Sequence, residues 1–298
     1  MALHQAGNPA AVFSMSESIS TMEERIIRAR RGIVAINFAE LWRYRELFGF
    51  LVWRDMLIRY KQTYLGVAWA VLQPVLTTLV FVLVFDKLGH FDSKGAPYAV
   101  MTFAALLPWQ FFANALSESS SSVVASSNMI SKIYFPRLII PVSAVLSGVA
   151  DFLIGAVILV AMMFFYRVPF LPQMLLLPLF LLMAFGAALA FGLWLSALNV
   201  KYRDVKYIVP FFTRVGLYVS PVGYLSSLVL EKLGPRAYFA YWLNPMVGVI
   251  EGFRWCILGE KFTPYWPGLC ASIALIAVLS VTGVYYFRNT EKTFADVI

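Results

Sequence analysis

The sequence predicts an all-α integral membrane protein with six membrane-spanning helices and one amphipathic helix ahead of them. Of the 298 residues, 60% are hydrophobic and only 13% are charged, whereas a soluble domain is about 25% charged. The apolar residues also stand in long blocks, close to the roughly 20 residues that a helix needs to cross a bilayer. These observations predict one transmembrane domain at residues 41–288, without internal repeats.

The amphipathic helix is predicted at residues 41–62, where charged and aromatic residues alternate. Its apolar members recur at the spacing of one helix face: Trp53, Met56, Leu57, Tyr60 and Tyr64. The polar members fall on other faces: Arg54, Asp55, Arg59 and Gln62. Such a helix can place its apolar side in the headgroup region and keep its charges in water. We therefore expect it on the inner membrane surface, turning at residues 63–66 into the first span.

A basic extension at residues 1–40 precedes this helix. Its first 20 residues are small, polar and aperiodic, and residues 1–35 contain no apolar run of the kind that a signal peptide has. Four arginines follow, at positions 25, 28, 30 and 31. They can hold anionic lipid headgroups or a pyrophosphate at the cytoplasmic face, or act only as a positive anchor for topology.

Six apolar segments are predicted to span the membrane. They lie at about residues 65–85, 98–116, 138–166, 174–198, 208–224 and 265–287. Prolines 74 and 108 predict kinks in the first two spans, and Ser220-Pro221 predicts a break in the fifth. The serine-rich residues 117–141 are predicted to form a cytoplasmic loop with a short amphipathic turn. Residues 225–264 are too polar for a clean span and too apolar for an ordinary loop.

The positive charges indicate the topology. Six spans place both termini on one side, and most of the 24 lysines and arginines then fall on that side, in the N-terminal region, residues 117–141, residues 199–214 and a short tail at residues 289–298. Cytoplasmic segments carry such an excess. Both termini are therefore predicted to be cytoplasmic, and the net charge of +8 is a topology signal rather than a sign of nucleic-acid binding.

A few charged residues lie within apolar segments. Asp151 in span 3 and Arg214 in span 5 are costly in lipid, by about 2.5–3.5 kcal/mol each on insertion scales. We expect them to face the protein interior, and the sequence leaves open whether they pair or whether Arg214 reaches the interface. Glu251 and Arg254 stand three residues apart and can either form an ion pair on a helix or face water.

The chemistry of an enzyme is missing from the sequence. Of the two histidines, His4 lies in the N-terminal extension and His90 in a predicted outer loop. Cys256 and Cys270 lack metal or redox spacing. The GxxxxGK[ST] nucleotide-binding loop does not occur. The chain is therefore predicted to catalyse no reaction and to bind no cofactor or metal. If ATP drives its activity, a second polypeptide must bind the ATP and Mg²⁺.

Aromatic residues make up 16% of the chain, and several recur along spans that also contain breaks. Those that are candidates for lining a substrate channel are Trp69, Phe81, Phe85, Tyr218 and Tyr224. Flat aromatic faces suit the apolar C–H face of a sugar ring. Packing in the bundle is the alternative role for each of them.

Four runs of the sequence, in register, resemble a known family. They are WRDMLIRYKQTYLGVAWAVLQPVL, SNMISKIYFPRLIIP, NVKYRDVKYIVPF and YWLNPMVGVIEGFRW. Together they resemble the membrane subunit of type-2 ABC exporters of bacterial polysaccharides, and the resemblance covers about residues 41–287. The group includes exporters of O-antigen, capsule and teichoic acid. The basic extension and the segment at residues 225–259 look most like those of O-antigen exporters.

The resemblance implies an assembly in the bacterial inner membrane. It implies a homodimer of this chain above two nucleotide-binding ATPase subunits, with a channel that passes an undecaprenyl-pyrophosphate-linked glycan out of the cytoplasm. Residues 225–259 would supply two short re-entrant gate helices between spans 5 and 6 at the outer face, including Glu251 and Arg254.

Two cytoplasmic elements take roles from the same resemblance. The amphipathic segment would be the interface helix, with Trp53, Arg54, Asp55, Arg59 and Tyr60. The coupling helix that docks on the ATPase would contain Ser127, Asn128, Met129, Lys132, Tyr134, Phe135 and Arg137.

Other classes of protein fit less well. An ion-coupled secondary carrier is expected to show internal repeats and a denser set of buried charges. A membrane enzyme such as a lipid-linked glycosyltransferase needs clustered acidic residues, and the acids here are scattered. Within the resembled family, capsule and teichoic-acid exporters stay open as alternatives.

Overall fold

The computed structural model describes residues 38–61 and 66–294. The N-terminal extension up to residue 37, the turn at residues 62–65 with Tyr64 and Gln62, and the last four residues of the tail lie outside this range. The predictions made for those segments are therefore neither confirmed nor contradicted.

The described residues form helices joined by short connections and contain no β-strand. The helices are α1 (Phe38–Arg43), α2 (Arg45–Lys61), α3 (Gly66–Phe81), α4 (Tyr98–Ala125), α5 (Ser127–Ile130), α6 (Ile139–Ser147), α7 (Val149–Phe165), α8 (Leu177–Lys201), α9 (Val205–Val219), α10 (Ser227–Tyr241), α11 (Pro245–Leu258) and α12 (Trp266–Thr290). A π-helical turn, Val82–Leu88, continues α3. Three 3₁₀ turns lie at Pro172–Leu176, Glu260–Phe262 and Glu291–Thr293.

Five helical segments of the described chain are long and apolar enough to cross a membrane. They are Ala68–Leu88, Tyr98–Ala125, Ile139–Phe165, Pro172–Lys201 and Trp266–Thr293. They coincide with predicted spans 1, 2, 3, 4 and 6, and the all-α integral membrane fold is confirmed. The predicted fifth span corresponds to α9, which has 15 residues and ends before Ser220. That is shorter than a full crossing requires, so the count of six spans stays a prediction.

Span 2 is longer than predicted, because the serine-rich residues 117–125 continue α4 instead of forming a loop. The serine hydroxyls donate hydrogen bonds to carbonyls one turn earlier, as Ser120 does to Ser117 and Ser122 to Ser119. Such bonds satisfy polar side chains without leaving the helix. The prediction of a loop was wrong because composition alone does not reveal these local bonds.

The buried core is built around α4, which packs against α3, α6, α7, α8, α9 and α11. Small residues of α8, including Ala187, Ala188 and Ala190, are fully buried against it. At Gly192 an added Cβ would lie 2.4 Å from the Ser119 hydroxyl oxygen. The small residues of α8 therefore allow close approach of the two helices.

The third span is divided at Gly148 into α6 and α7, although the sequence predicted one segment. The mixed segment after span 5 folds into two helices, α10 and α11, as the resemblance implied. Gly234 interrupts α10 with a φ of 82°, a conformation that glycine adopts without strain. Most of α11 is buried, while its assignment as a gate stays a prediction.

We predict that Gly252→Ala destabilises the bundle. The new Cβ would lie 2.1 Å from Cε1 and 2.3 Å from Cδ1 of the buried Phe180 ring, so that ring has to shift. Overpacking of this kind costs about 1–3 kcal/mol, measurable as a lower midpoint of thermal unfolding in detergent. Gly49→Ala is the matched control, because nothing lies within 4 Å of its added Cβ. Equal midpoints for the two variants would contradict the packing.

Candidate functional site

The amphipathic helix has one face on the bundle and one face exposed. Leu51 is buried, and Leu47 packs against the cluster that contains Phe287. On the exposed face, Trp53 is 60% exposed and Leu57 is also accessible. Trp53 and Leu57 are therefore accessible, and their placement against lipid headgroups stays a prediction.

The end of α2 is arranged differently from the prediction. Arg59, expected to face water, pairs with the Asp151 carboxylate of α7 and lies 3.6 Å from Glu118. The Tyr60 hydroxyl, expected on the lipid face, donates to the other oxygen of Asp151. Burial, and then the bond to Asp151, raise the pKa of Tyr60, so its hydroxyl remains a donor. Sequence periodicity missed both contacts, because Asp151 lies 92 residues from Arg59 and 91 residues from Tyr60.

The structure also shows the surroundings of Arg54, Asp55 and Arg214. Arg54 and Asp55 pair with each other at 2.8 Å. Arg214 does not pair with Asp151; it is exposed on α9, and within residues 38–61 and 66–294 it makes no ion pair. The expectation that Arg214 faces the interior of its own chain was therefore wrong.

The coupling segment, residues 127–137, presents a short exposed ridge. α5 forms its first turn, with Asn128 exposed and Ser127 and Met129 half-buried. Lys132, Ile133 and Tyr134 then lie exposed in succession, while the neighbouring Phe135 is buried. An accessible apolar and basic ridge on a buried aromatic anchor is suited to docking against another protein.

The C-terminal tail holds this ridge in place, which sequence reasoning missed. The Arg137 guanidinium donates to the Glu291 carbonyl and lies 5.9 Å from the Phe294 ring. Phe294 is fully buried and packs edge-on against Phe287 at 5.4 Å. The aromatic residue Phe294, which follows the polar residues 289–293, was the available signal.

We predict that Arg137→Gln releases the tail from the coupling segment. The variant loses a hydrogen bond from a charged donor, worth about 1.5–3 kcal/mol, and the cation–π contact with Phe294. Hydrogen exchange of residues 291–294 should become faster, while exchange in α4 stays unchanged. Lys201→Gln is the control, because its ammonium group lies 5.3 Å from the centroid of the adjacent Tyr202 ring and not against the tail residues of the described chain. Unchanged exchange in the tail would contradict this role of Arg137.

Four of the five predicted channel aromatics meet at the far end of α3. Phe81 stacks on Phe85 at 5.2 Å and on Tyr218 at 6.2 Å. The Tyr224 hydroxyl lies 2.8 Å from the Val219 carbonyl, just beyond Tyr218. Phe81 is only 4% exposed, whereas Tyr218 is 63% exposed. Within one chain, Phe81 is therefore a buried packing residue that supports the exposed Tyr218 ring.

The fifth aromatic, Trp69, lies three turns earlier on α3 and is separated from this group. It borders a different cavity, together with Arg59 and Asp151. The role of all five as channel residues stays a prediction.

Glu251 and Arg254 of α11 form a buried ion pair at 3.1 Å, so the alternative that they face water was wrong. Arg254 is 0% exposed. Its guanidinium also donates to the carbonyls of Val222 and Tyr224, both at 2.9 Å. One side chain thus ties α11 to the turn that follows α9. The gate function of the pair stays a prediction.

Among the residues that the structure describes, no group of three histidine, cysteine, aspartate or glutamate side chains is placed to hold a metal ion. Cys256 is buried and Cys270 exposed, and both are free thiols.

Comparison with known proteins identifies the family. A curated protein of Myxococcus xanthus named O-antigen export system permease protein RfbA is 28% identical over 265 residues, which cover 87% of this chain and 98% of that protein. Two proteins of the same name from Klebsiella pneumoniae are 26% and 24% identical over 249 residues, 82% of this chain and 92% of theirs. The family model described as ABC-2 type transporter matches residues 46–258. The chain is therefore a membrane transport subunit rather than an enzyme, and it belongs to the ABC-2 type transporter family.

Proposed function

We propose that this chain is the permease subunit of an ATP-driven exporter of a lipid-linked polysaccharide of the O-antigen type. It moves an undecaprenyl-pyrophosphate-linked glycan from the cytoplasm across the bacterial inner membrane. Two copies of the chain form the channel, and two separate ATPase subunits bind ATP and Mg²⁺. Both termini face the cytoplasm. The names of the three relatives, matched over almost their whole length, support the polysaccharide substrate.

The observation that carries the proposal is the exposed ridge of Lys132, Ile133 and Tyr134. The chain directly after it is anchored by the buried Phe135 and by the tail contact of Arg137. A rigid ridge transmits a push from a docked ATPase into α4 and α6, the two spans that it joins. A carrier driven by an ion gradient has no use for such a docking ridge.

The exposed face of α9 supports the homodimer. Arg214 lies nine residues beyond Val205, about 14 Å along the helix, and neighbouring Phe211 and Tyr218 are also exposed. A charge at this depth is costly against lipid. A second copy of the chain, or the water-filled channel between two copies, therefore covers this face.

The exposed aromatic ring of Tyr218 supports a glycan as the substrate. A ring exposed on a membrane helix offers a flat apolar face to passing sugars without binding them tightly. Capsule or teichoic-acid glycans would satisfy the same contacts, and these exporters are the second candidate.

Transport in reconstituted vesicles tests the proposal. The permease and its ATPase are placed in vesicles, and movement of an undecaprenyl-diphosphate-linked glycan is followed by its accessibility to a glycosidase. We expect movement with ATP and Mg²⁺, none with a non-hydrolysable analogue, and no effect of a proton uncoupler. Movement that follows an ion gradient in the absence of ATP would instead establish a secondary carrier.

A further inference from the structure

A cavity of about 570 Å³ opens between α3, α4 and α7, beside the end of α2. It is distinct from the aromatic group around Tyr218 and from the coupling ridge. Its volume lies in the range of small-ligand pockets, about 300–1,000 Å³. The inner end of the membrane domain therefore contains room for one or two sugar-sized groups within a single chain.

Polar side chains converge on this cavity from α3 and α4. On α4, Gln110, Asn114 and Glu118 recur at every fourth position and thus share one face. On α3, Trp69 and Gln73 are related in the same way. Within the described part of the chain, the amide groups of Gln73, Gln110 and Asn114 make no side-chain hydrogen bond. Three amides are therefore available to a ligand.

These amides lie at membrane depth. Gln110 is 12 residues beyond Tyr98, the first residue of α4, and this corresponds to about 18 Å of helix. The hydrocarbon core is about 30 Å thick, so under the proposed topology Gln110 and Asn114 belong to its inner half. Polar residues at such depth are expensive and mark substrate paths. Their grouping around one cavity is therefore better explained by a ligand than by packing.

The charges of the cavity select against an anion. Among the described residues that line the cavity, Arg59 is the single cation; it pairs with the Asp151 carboxylate and lies 3.6 Å from Glu118. One cation and two carboxylates leave a net negative charge, which repels phosphate and diphosphate. Carboxylates and amides are good partners for hydroxyl groups, because a carboxylate accepts hydrogen bonds at both oxygens and an amide both donates and accepts them. Trp69, 56% exposed, adds a flat apolar face.

We propose that this cavity is a binding site for a neutral sugar unit, separate from any site for the diphosphate. Carboxylates, amides and one indole face match the hydroxyls and the C–H face of a pyranose ring. The inference deepens the proposed function, on which its biological role rests, by placing a sugar of the lipid-linked glycan between α3, α4 and α7. The ion pair between Arg59 of α2 and Asp151 of α7 forms one side of the cavity.

Saturation-transfer NMR on the full chain in nanodiscs, with and without its ATPase, tests this site. The probes are the methyl glycosides of N-acetylglucosamine, galactose and mannose, with inorganic pyrophosphate and phosphorylethanolamine as competitors. We expect at least one glycoside to bind, and neither competitor to displace it. Displacement by pyrophosphate, or binding of phosphorylethanolamine without any glycoside, would overturn the proposal in favour of a lipid headgroup or anion site.

Variants locate the binding. We expect Gln110→Leu and Trp69→Leu each to weaken glycoside binding by at least about tenfold, the equivalent of 1.4 kcal/mol. Gln173→Leu and Trp266→Leu are the matched controls, because these residues lie outside the cavity. Their binding should equal that of the unaltered chain. Equal binding in all four variants would overturn the proposed location.

The outcome separates this site from the proposed function. If the assembly exports glycan but binds no glycoside, the sugar site is wrong and the exporter stands. If glycosides bind as described while no ATPase assembles with the chain, the sugar site is supported and the ATP-driven exporter is wrong.

Discussion

Arg254→Met is expected to abolish the stable fold of the permease. The side chain is fully buried, pairs with Glu251 at 3.1 Å and donates to the carbonyls of Val222 and Tyr224. Its removal leaves a buried carboxylate and two carbonyls without these partners. Breaking a buried ion pair costs about 3–5 kcal/mol, a large share of the 5–15 kcal/mol that typically stabilises a protein. The measurement is the thermal midpoint and the yield of monodisperse protein.

Two further variants make this result specific. Arg236→Met removes an exposed arginine of α10 and should leave the midpoint unchanged. The double variant Glu251→Leu/Arg254→Met carries no buried charge and should regain part of the lost stability. A midpoint for Arg254→Met close to that of the unaltered chain would contradict the role assigned to the ion pair.

Lys132→Glu should uncouple export from ATP hydrolysis. The side chain lies on the exposed ridge and makes no ion pair within residues 38–61 and 66–294, so folding should not change. Reversal of a charge at a docking surface places like charges against the partner if that surface is acidic, and this costs several kcal/mol. We expect export to fall at least about tenfold, with the thermal midpoint unaltered. Initial rates of glycan movement in vesicles give the measurement.

Lys87→Glu is the matched control for this reversal. Lys87 is exposed on the π-helical turn that continues α3, at the predicted outer end of the first span. It should export at the rate of the unaltered chain. Full export by Lys132→Glu would show that the ridge does not dock the ATPase.

Other substitutions in the ridge are less informative. Arg137 anchors the tail, so its reversal disturbs the fold as well as the surface. The Ile133 amide donates to the Met129 carbonyl at 3.1 Å, and proline at this position removes that donor. Loss of export by either variant therefore has two explanations, whereas Lys132 tests docking alone.

The sequence predicted the parts of the fold that depend on local pattern. Apolar blocks located five spans, since burial in lipid demands an uninterrupted apolar run. The length of α4 was missed, because the bonds of Ser120 and Ser122 to nearby carbonyls make serine compatible with a helix. Composition alone gives no sign of them.

Contacts between distant residues account for the other differences. Periodicity placed Tyr60 on the lipid face, and only the folded chain brings Asp151 to it from 91 residues away. The spacing of Glu251 and Arg254 allowed an ion pair but did not show that it is buried. The cavity at Gln110 draws on four helices, and no single stretch of sequence contains its pattern.

The central claim is that this permease works with a separate ATPase, and ATP turnover in lipid tests it most directly. The chain is purified with and without the presumed ATPase subunit, and both samples are reconstituted. We predict no turnover by the chain alone, co-purification of the ATPase, and a changed rate of hydrolysis on assembly. Failure of any ATPase to associate, with transport preserved, would contradict the account and direct attention to Asp151 and Arg214 as charges of a secondary carrier.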